Sequence, residues 1–183
     1  PGGLMFPDRA RLIVCAIEDA DYRKTKIDWW RDVYGFDMSC IREIAMQEPL
    51  VDMCEPHMRV TDYDTLYEID VSTVTKEELE FDATFNLTAA HNQVTHALVA
   101  HFDVDFTHCP KPVKISTGPD DQYTHWKQTV FYFEDPVSMR VGDTLTGTFR
   151  ARKNEKNPRD MNITIEFSVR GGEKKWTQRY TLR

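Results

Sequence analysis

Long apolar runs are missing from this sequence. No stretch approaches the roughly 20 apolar residues that a membrane-crossing helix needs, so no helical span is predicted. The first residues carry no charged segment leading into an apolar one and are not read as a secretory signal. Cysteine is sparse. Cys15, Cys40, Cys54 and Cys109 form no Cys-x-x-Cys pair, which argues for reduced thiols and against a disulfide framework. Metal-ligand spacing is absent too, since His108-Cys109 is the sole adjacent His/Cys pair and no other ligand is spaced to it. No Gly-x-Gly occurs. Gly2-Gly3 precedes the first predicted strand and cannot form the turn of a nucleotide cradle. No serine or cysteine sits in a nucleophile pattern. The glycosylation triplets at Asn86 and Asn162 are common by chance and, without a secretory signal, are discounted.

What is present is acidic and aromatic. The 183 residues carry a net charge of −7, but the sign is divided along the chain. Residues 1–135 hold 12 Lys+Arg against 25 Asp+Glu, and residues 136–183 hold 11 against 5. An acidic field repels nucleic acid and attracts basic peptides, although solubility alone also accounts for it. The basic tail (Arg150, Arg152, Lys153, Lys156, Arg159) lacks the interleaved aromatics of a nucleic-acid surface, so RNA binding is the weaker reading.

Period-2 alternation dominates the rest. Leu12 to Ile17 reads as a short buried strand. From His96 to Phe106, Leu98, Ala100, Phe102, Val104 and Phe106 share one face, while His101, Asp103 and Asp105 share the other. Further alternations fall at Tyr67–Val71, Phe131–Phe133, Leu145–Phe149 and Ile163–Val169, with Trp176 and Tyr180 on one face of the last strand. Each predicts a strand with one buried and one wet face. Short turns at 141–143 and 170–173 then favour a mainly β sandwich or barrel.

Residues 20–48 break the habit. Ile27, Trp30 and Tyr34 recur at helical spacing and Gly35 supplies a stop. A second helix fits Met38 to Glu48, with Asp37 as N-cap, Ile41, Ile44 and Ala45 on one side, and Pro49 at its end. So short an excursion cannot bury Trp29, Trp30, Tyr34 and Phe36 against itself. They must cap the β domain or meet another molecule.

Several separated blocks carry a resemblance. They include Leu4 to Ala10, Trp29-Trp30-x-x-Val33-Tyr34-Gly35-Phe36-Asp37-Met38-Ser39-Cys40-Ile41, Glu48 to Asp52, His96 to Ala100, and Tyr123-Thr124-His125-Trp126-Lys127-Gln128 through Tyr132. Over nearly its whole length the chain resembles the C-terminal portion of the protein arginine N-methyltransferases, nearest the asymmetric-dimethylating (type I) branch. The resemblance implies a β-barrel at residues 9–19 and 49–183, with a two-helix dimerisation arm inserted at 20–48. It implies dimer contacts through Trp29, Trp30, Tyr34, Phe36, Met38 and Ile41. Thr124, His125 and Trp126 would form the family's THW loop, one wall of the acceptor-arginine pocket. The implied activity is methyl transfer from S-adenosylmethionine to arginine side chains of basic proteins such as histone tails and Arg/Gly-rich tracts, in cytoplasm and nucleus. The Rossmann-like donor domain is not in this sequence. The chain alone is therefore expected to bind no donor, to be inactive, and to self-associate through its arm. A non-catalytic interaction module is the alternative. Glu77-Glu78 is assigned to a solvated turn, not to the family's guanidinium clamp.

Overall fold

The computed structural model describes residues 2–172 and 174–183. Ten strands occur among them: β1 (Arg9–Ile17), β2 (Leu50–Asp52), β3 (Asp64–Asp70), β4 (Phe81–Thr88), β5 (Gln93–Phe106), β6 (Val113–Ser116), β7 (Gln128–Met139), β8 (Thr144–Lys153), β9 (Met161–Val169) and β10 (Lys175–Leu182). One sheet runs β2-β7-β5-β1-β3, with β6 paired to the far half of β5, and the other runs β10-β9-β8-β4. Every ladder is antiparallel. Val14, Leu98, Phe131 and Phe133 of the first sheet meet Phe85, Leu87, Phe149, Ile165 and Phe167 of the second in one core. At Gly147 in β8 a Cβ would lie 2.1 Å from the Glu166 carbonyl, so only glycine lets these strands approach. The turn at 170–173 begins with Arg170 and Gly171 both left-handed, while Glu173 lies outside the described residues.

The barrel-like closure relies on side chains. Strand twist carries the edges apart before a full ladder can form, and the orphaned amides need other acceptors. Between β3 and β4, the Asp64 carboxylate accepts the Asn86 amide at 2.8 Å and that of Asp62 accepts Thr88 at 2.6 Å. Between β7 and β10, the Gln178 side chain accepts the Glu134 amide at 3.0 Å and the Tyr180 hydroxyl donates to the Tyr132 carbonyl at 2.9 Å.

Between β1 and β2 the chain leaves the sheet. Helix α1 (Ala20–Tyr22) runs into a wide turn at Arg23–Ile27 and a tight one at Asp28–Arg31, and α2 (Ser39–Gln47) follows. The expected regular helix through Tyr34 is thus corrected. The wide turn brings Arg23 and Asp28, five apart, into contact at 3.1 Å, and the helix ends at Arg31. Tyr34 and Gly35, at φ 54° and 88°, reverse the chain. In α2 the buried residues are Arg42, drawn inward by Asp28, and Met46, while Ile41 and Ala45 are half-buried and Ile44 is exposed. The N-cap is Met38, although Asp37 still accepts the Ser39 amide at 2.9 Å.

A second cluster explains another departure. Cys15, Ile17, Ala97, Val99, Val130 and Tyr132, on the outer face of the first sheet, are covered by Ile27, Met46 and Cys54. Strands β1, β5 and β7 are therefore buried on both sides, which is why β1 reads as a continuous apolar run. The predicted wet face of β5 is not wet: His101 is 6% exposed and Asp103 1%.

Candidate functional site

The loop between β6 and β7 carries Thr124, His125 and Trp126. Its two ends are fixed. Thr117 exchanges bonds with the Phe102 backbone at 2.9 and 3.0 Å. Gln128 is buried, donating to the Thr117 carbonyl at 2.7 Å and accepting the Cys54 amide at 2.7 Å. Lys127 takes the left-handed region (φ 54°) and its ammonium bonds Asp52 of β2 at 2.8 Å. That bond raises the Lys127 pKa and lowers that of Asp52. Between these anchors Trp126 is half-exposed, with its edge on Phe102 at 5.8 Å, and the His125 ring lies 4.1 Å from it. Tyr123 is exposed beside them. The Thr124 hydroxyl is buried without a hydrogen-bond partner. A cleft of about 360 Å³ opens between this loop and β6, bordered by Lys114, Asp121, Tyr123 and Thr124.

Beneath the loop lies a charged layer on β5. Asp103 is flanked by Lys114 at 2.8 Å and Arg11 at 3.7 Å. Burial opposes its charge, but Lys114, Ser116 and His101 together hold the carboxyl below its usual range. Burial also pushes His101 down, favouring the neutral ring. Asp120 of the loop meets Tyr63 and Arg59, two residues from the segment between β2 and β3.

The second predicted group sits on the helical segment. Tyr34 is 92% and Phe36 72% exposed, with Trp29 less so. Trp30, Met38 and Ile41 are half-buried. Trp29 holds edge contacts with Trp30 at 5.1 Å and Tyr34 at 6.4 Å. Among the described residues no hydrogen bond, ion pair or ring contact joins this group to Thr124–Trp126. The segment is tied down by polar links. Arg23 donates to the Phe133 carbonyl and, at 2.5 Å, to that of Glu134. At its root the Asp19 carboxylate accepts the Tyr132 hydroxyl at 2.6 Å, while its amide donates to His96 Nδ1 at 3.1 Å. Sequence reading missed Arg59, Tyr63, Asp120, Arg23, Asp28 and Arg42. Most of the partners are far apart in the chain, and no periodicity links them.

The residues present do not fit the methyl donor. A nucleotide cradle needs parallel strand–turn–helix geometry, and the sheets here are antiparallel throughout. The basic tail is largely neutralised, with Arg150 on Glu166 at 2.7 Å and Arg152 on Asp82 at 2.5 Å. Among the described residues no cluster suited to a metal occurs, and no helix is long and apolar enough to cross a membrane.

Residues 8–172 match the sequence pattern of the arginine methyltransferase oligomerization subdomain. The chain belongs to the protein arginine methyltransferase family. Protein arginine N-methyltransferase 1 of Dictyostelium discoideum is 48% identical over 171 residues, covering 93% of the chain and 50% of that relative. The enzyme of the same name from Chlamydomonas reinhardtii is 45% identical over 185 residues, covering 100% and 54%. The chain thus spans about half the length of the curated relatives it matches. Among solved structures, the Trypanosoma brucei PRMT1 enzyme-prozyme heterotetrameric complex with AdoHcy superimposes with a TM-score of 0.94 at 35% identity, covering 98% of this chain and 57% of that one. This methyltransferase barrel is therefore mainly β with an inserted helical segment, in keeping with the family fold.

Proposed function

We propose that this chain is the acceptor-side and oligomer-forming part of a type I, S-adenosylmethionine-dependent protein arginine N-methyltransferase. Residues 9–19 and 49–183 are its barrel domain and 20–48 its dimerisation arm. The observation that carries the reading is Trp126, held half-exposed with His125 against it on a loop fixed at both ends. A guanidinium is flat and permanently charged, so it stacks on aromatic faces and pairs with carboxylates. Trp126 gives the acceptor a wall. His125 positions an acidic partner, and Thr124 belongs to the same wall. The donor, which supplies the methyl group, is held outside these residues, so this chain alone neither binds it nor turns over. Acceptors are basic arginine-containing proteins, histone tails and Arg/Gly-rich tracts among them, drawn by the acidic surface. The setting is cytoplasm and nucleus. Methyl transfer needs close positioning, which is what a wall on a rigid barrel supplies.

The test uses the full-length protein. Trp126→Ala should lower kcat/KM for an arginine-rich peptide by roughly tenfold or more, with donor affinity unchanged. Unchanged acceptor kinetics would remove the wall assignment. Calorimetry of the isolated chain with S-adenosylmethionine should give no binding heat, and micromolar binding would contradict the division of labour.

A further inference from the structure

The loop that carries Trp126 has one more attachment than its two ends. From Gly118 to Trp126, and among the described residues, Asp120 is the loop residue whose side chain is bonded to another element. Its Oδ2 accepts the Tyr63 hydroxyl at 2.9 Å and lies 3.2 Å from Arg59 Nε. Both partners are themselves held. Arg59 Nη1 donates to the Thr61 carbonyl at 2.8 Å, and its guanidinium lies 4.9 Å from the Tyr63 ring centre. The Tyr63 ring meets His101 edge-on at 5.4 Å. Burial pushes the Tyr63 phenol upward, so it remains a donor at neutral pH. The loop also sits down closely here. A Cβ on Gly118 would come within 3.1 Å of both His101 Nε2 and the Asp121 carboxylate, and the Asp121 amide closes a turn on the Gly118 carbonyl at 3.1 Å.

We propose that Asp120, seated between Arg59 and Tyr63, is a positioning residue that clamps the middle of the loop and fixes Trp126 and His125 for the acceptor arginine. The inference rests on the reading of Trp126 as the acceptor wall. A loop tied only at Thr117 and Lys127 keeps freedom in the residues between, whereas a site must be held to a fraction of an ångström. The clamp meets this need at a point six residues before Trp126. It stands on rigid material, because Arg59 and Tyr63 flank Val60 and Thr61, which are buried at the barrel wall. Asp120 itself is 41% exposed at its side chain, and partly exposed ion pairs contribute little to global stability. A role confined to stability and a role in positioning therefore predict different outcomes.

The experiment compares Asp120→Ala, Asp120→Glu and Tyr63→Phe in the full-length protein. Hydrogen exchange across residues 118–127 and acceptor kinetics are measured, with Trp126→Ala as the control. Asp120→Ala should speed exchange in that loop about tenfold, leave exchange in β5 and β7 and the melting temperature nearly unchanged, and lower acceptor kcat roughly tenfold without altering donor affinity. Asp120→Glu should recover part of both effects, and Tyr63→Phe should reproduce part of the loss. Unaltered loop exchange in Asp120→Ala overturns the clamp outright. Faster exchange with normal acceptor kinetics, while Trp126→Ala is impaired, overturns the positioning role. Normal kinetics in both variants instead brings down the wall assignment, and the positioning inference with it.

Discussion

His96 shows how one ring nitrogen fixes the root of the helical segment. Its Nδ1 accepts the Asp19 amide at 3.1 Å, so that nitrogen must be unprotonated. Burial lowers its pKa, with Glu18, at 3.8 Å, and Asp19 opposing the shift and Arg23 reinforcing it. A histidine harder to protonate folded than unfolded contributes stability that is complete above the unfolded value of about 6.5 and is lost as pH falls toward the folded value. His101, also lowered by burial, adds with the same sign. Thermal unfolding between pH 7.5 and 5 should therefore show stability declining on the acid side. His96→Asn, which keeps an acceptor but cannot titrate, should flatten part of that slope. An unchanged slope would place the dependence elsewhere. Alternation put His96 and His101 on opposite faces of β5, but the ladder to β7 slips between Thr95 and Ala97, and the period could not register that the outer face is covered. Coverage comes from the helical segment and the 117–121 loop, neither of which is visible in the period of the strand.

At the scale of elements, what the sequence disclosed follows from local periodicity. Ile163, Ile165 and Phe167 alternate and are all buried in β9, and Gly142 sits at φ 84° in the turn predicted at 141–143. The helical segment was legible in position but not in shape. Its conformation answers to Asp28, which takes Arg23 at 3.1 Å and Arg42 at 2.9 Å, with Arg31 at 3.6 Å. The Arg23 and Arg42 side chains are each about 8% exposed, so the carboxylate between them is what makes their burial tolerable. Asp28→Asn leaves two enclosed guanidinium groups without a counter-charge. Since Asp28 itself is partly wet, the cost should be about 2 kcal/mol, and it should appear locally. Amides of 20–47 should exchange faster while β5 and β7 keep their protection. Uniform change across the barrel would mean that the segment does not loosen on its own. Ile44→Ser should have little effect, because that side chain faces solvent.

For the whole molecule, the sheets need each other and the helical segment leaves aromatic rings uncovered. Each sheet buries its inner face in the common core, and the seams are sealed by Asp62, Asp64 and Gln178. Those polar residues carried no mark in the sequence, because an aspartate beside a strand is ordinarily just wet. The outer face of the first sheet has its own cover in Ile27 and Met46. With Ile27 and Met46 on the barrel, Tyr34 and Phe36 stay largely exposed among the described residues, which is the pattern of a contact surface. The family match to an oligomerization subdomain agrees with such a surface. Concentration-dependent association of the chain in sedimentation velocity is therefore expected. The double change Tyr34→Asp with Phe36→Asp should yield monomer at every concentration. Its melting temperature should stay close to the parent's, since neither ring contributes to either core. If the double variant associates as the parent does, the surface between copies lies elsewhere on the barrel. A strictly monomeric parent would mean that these aromatics need the rest of the full-length protein opposite them before they bind.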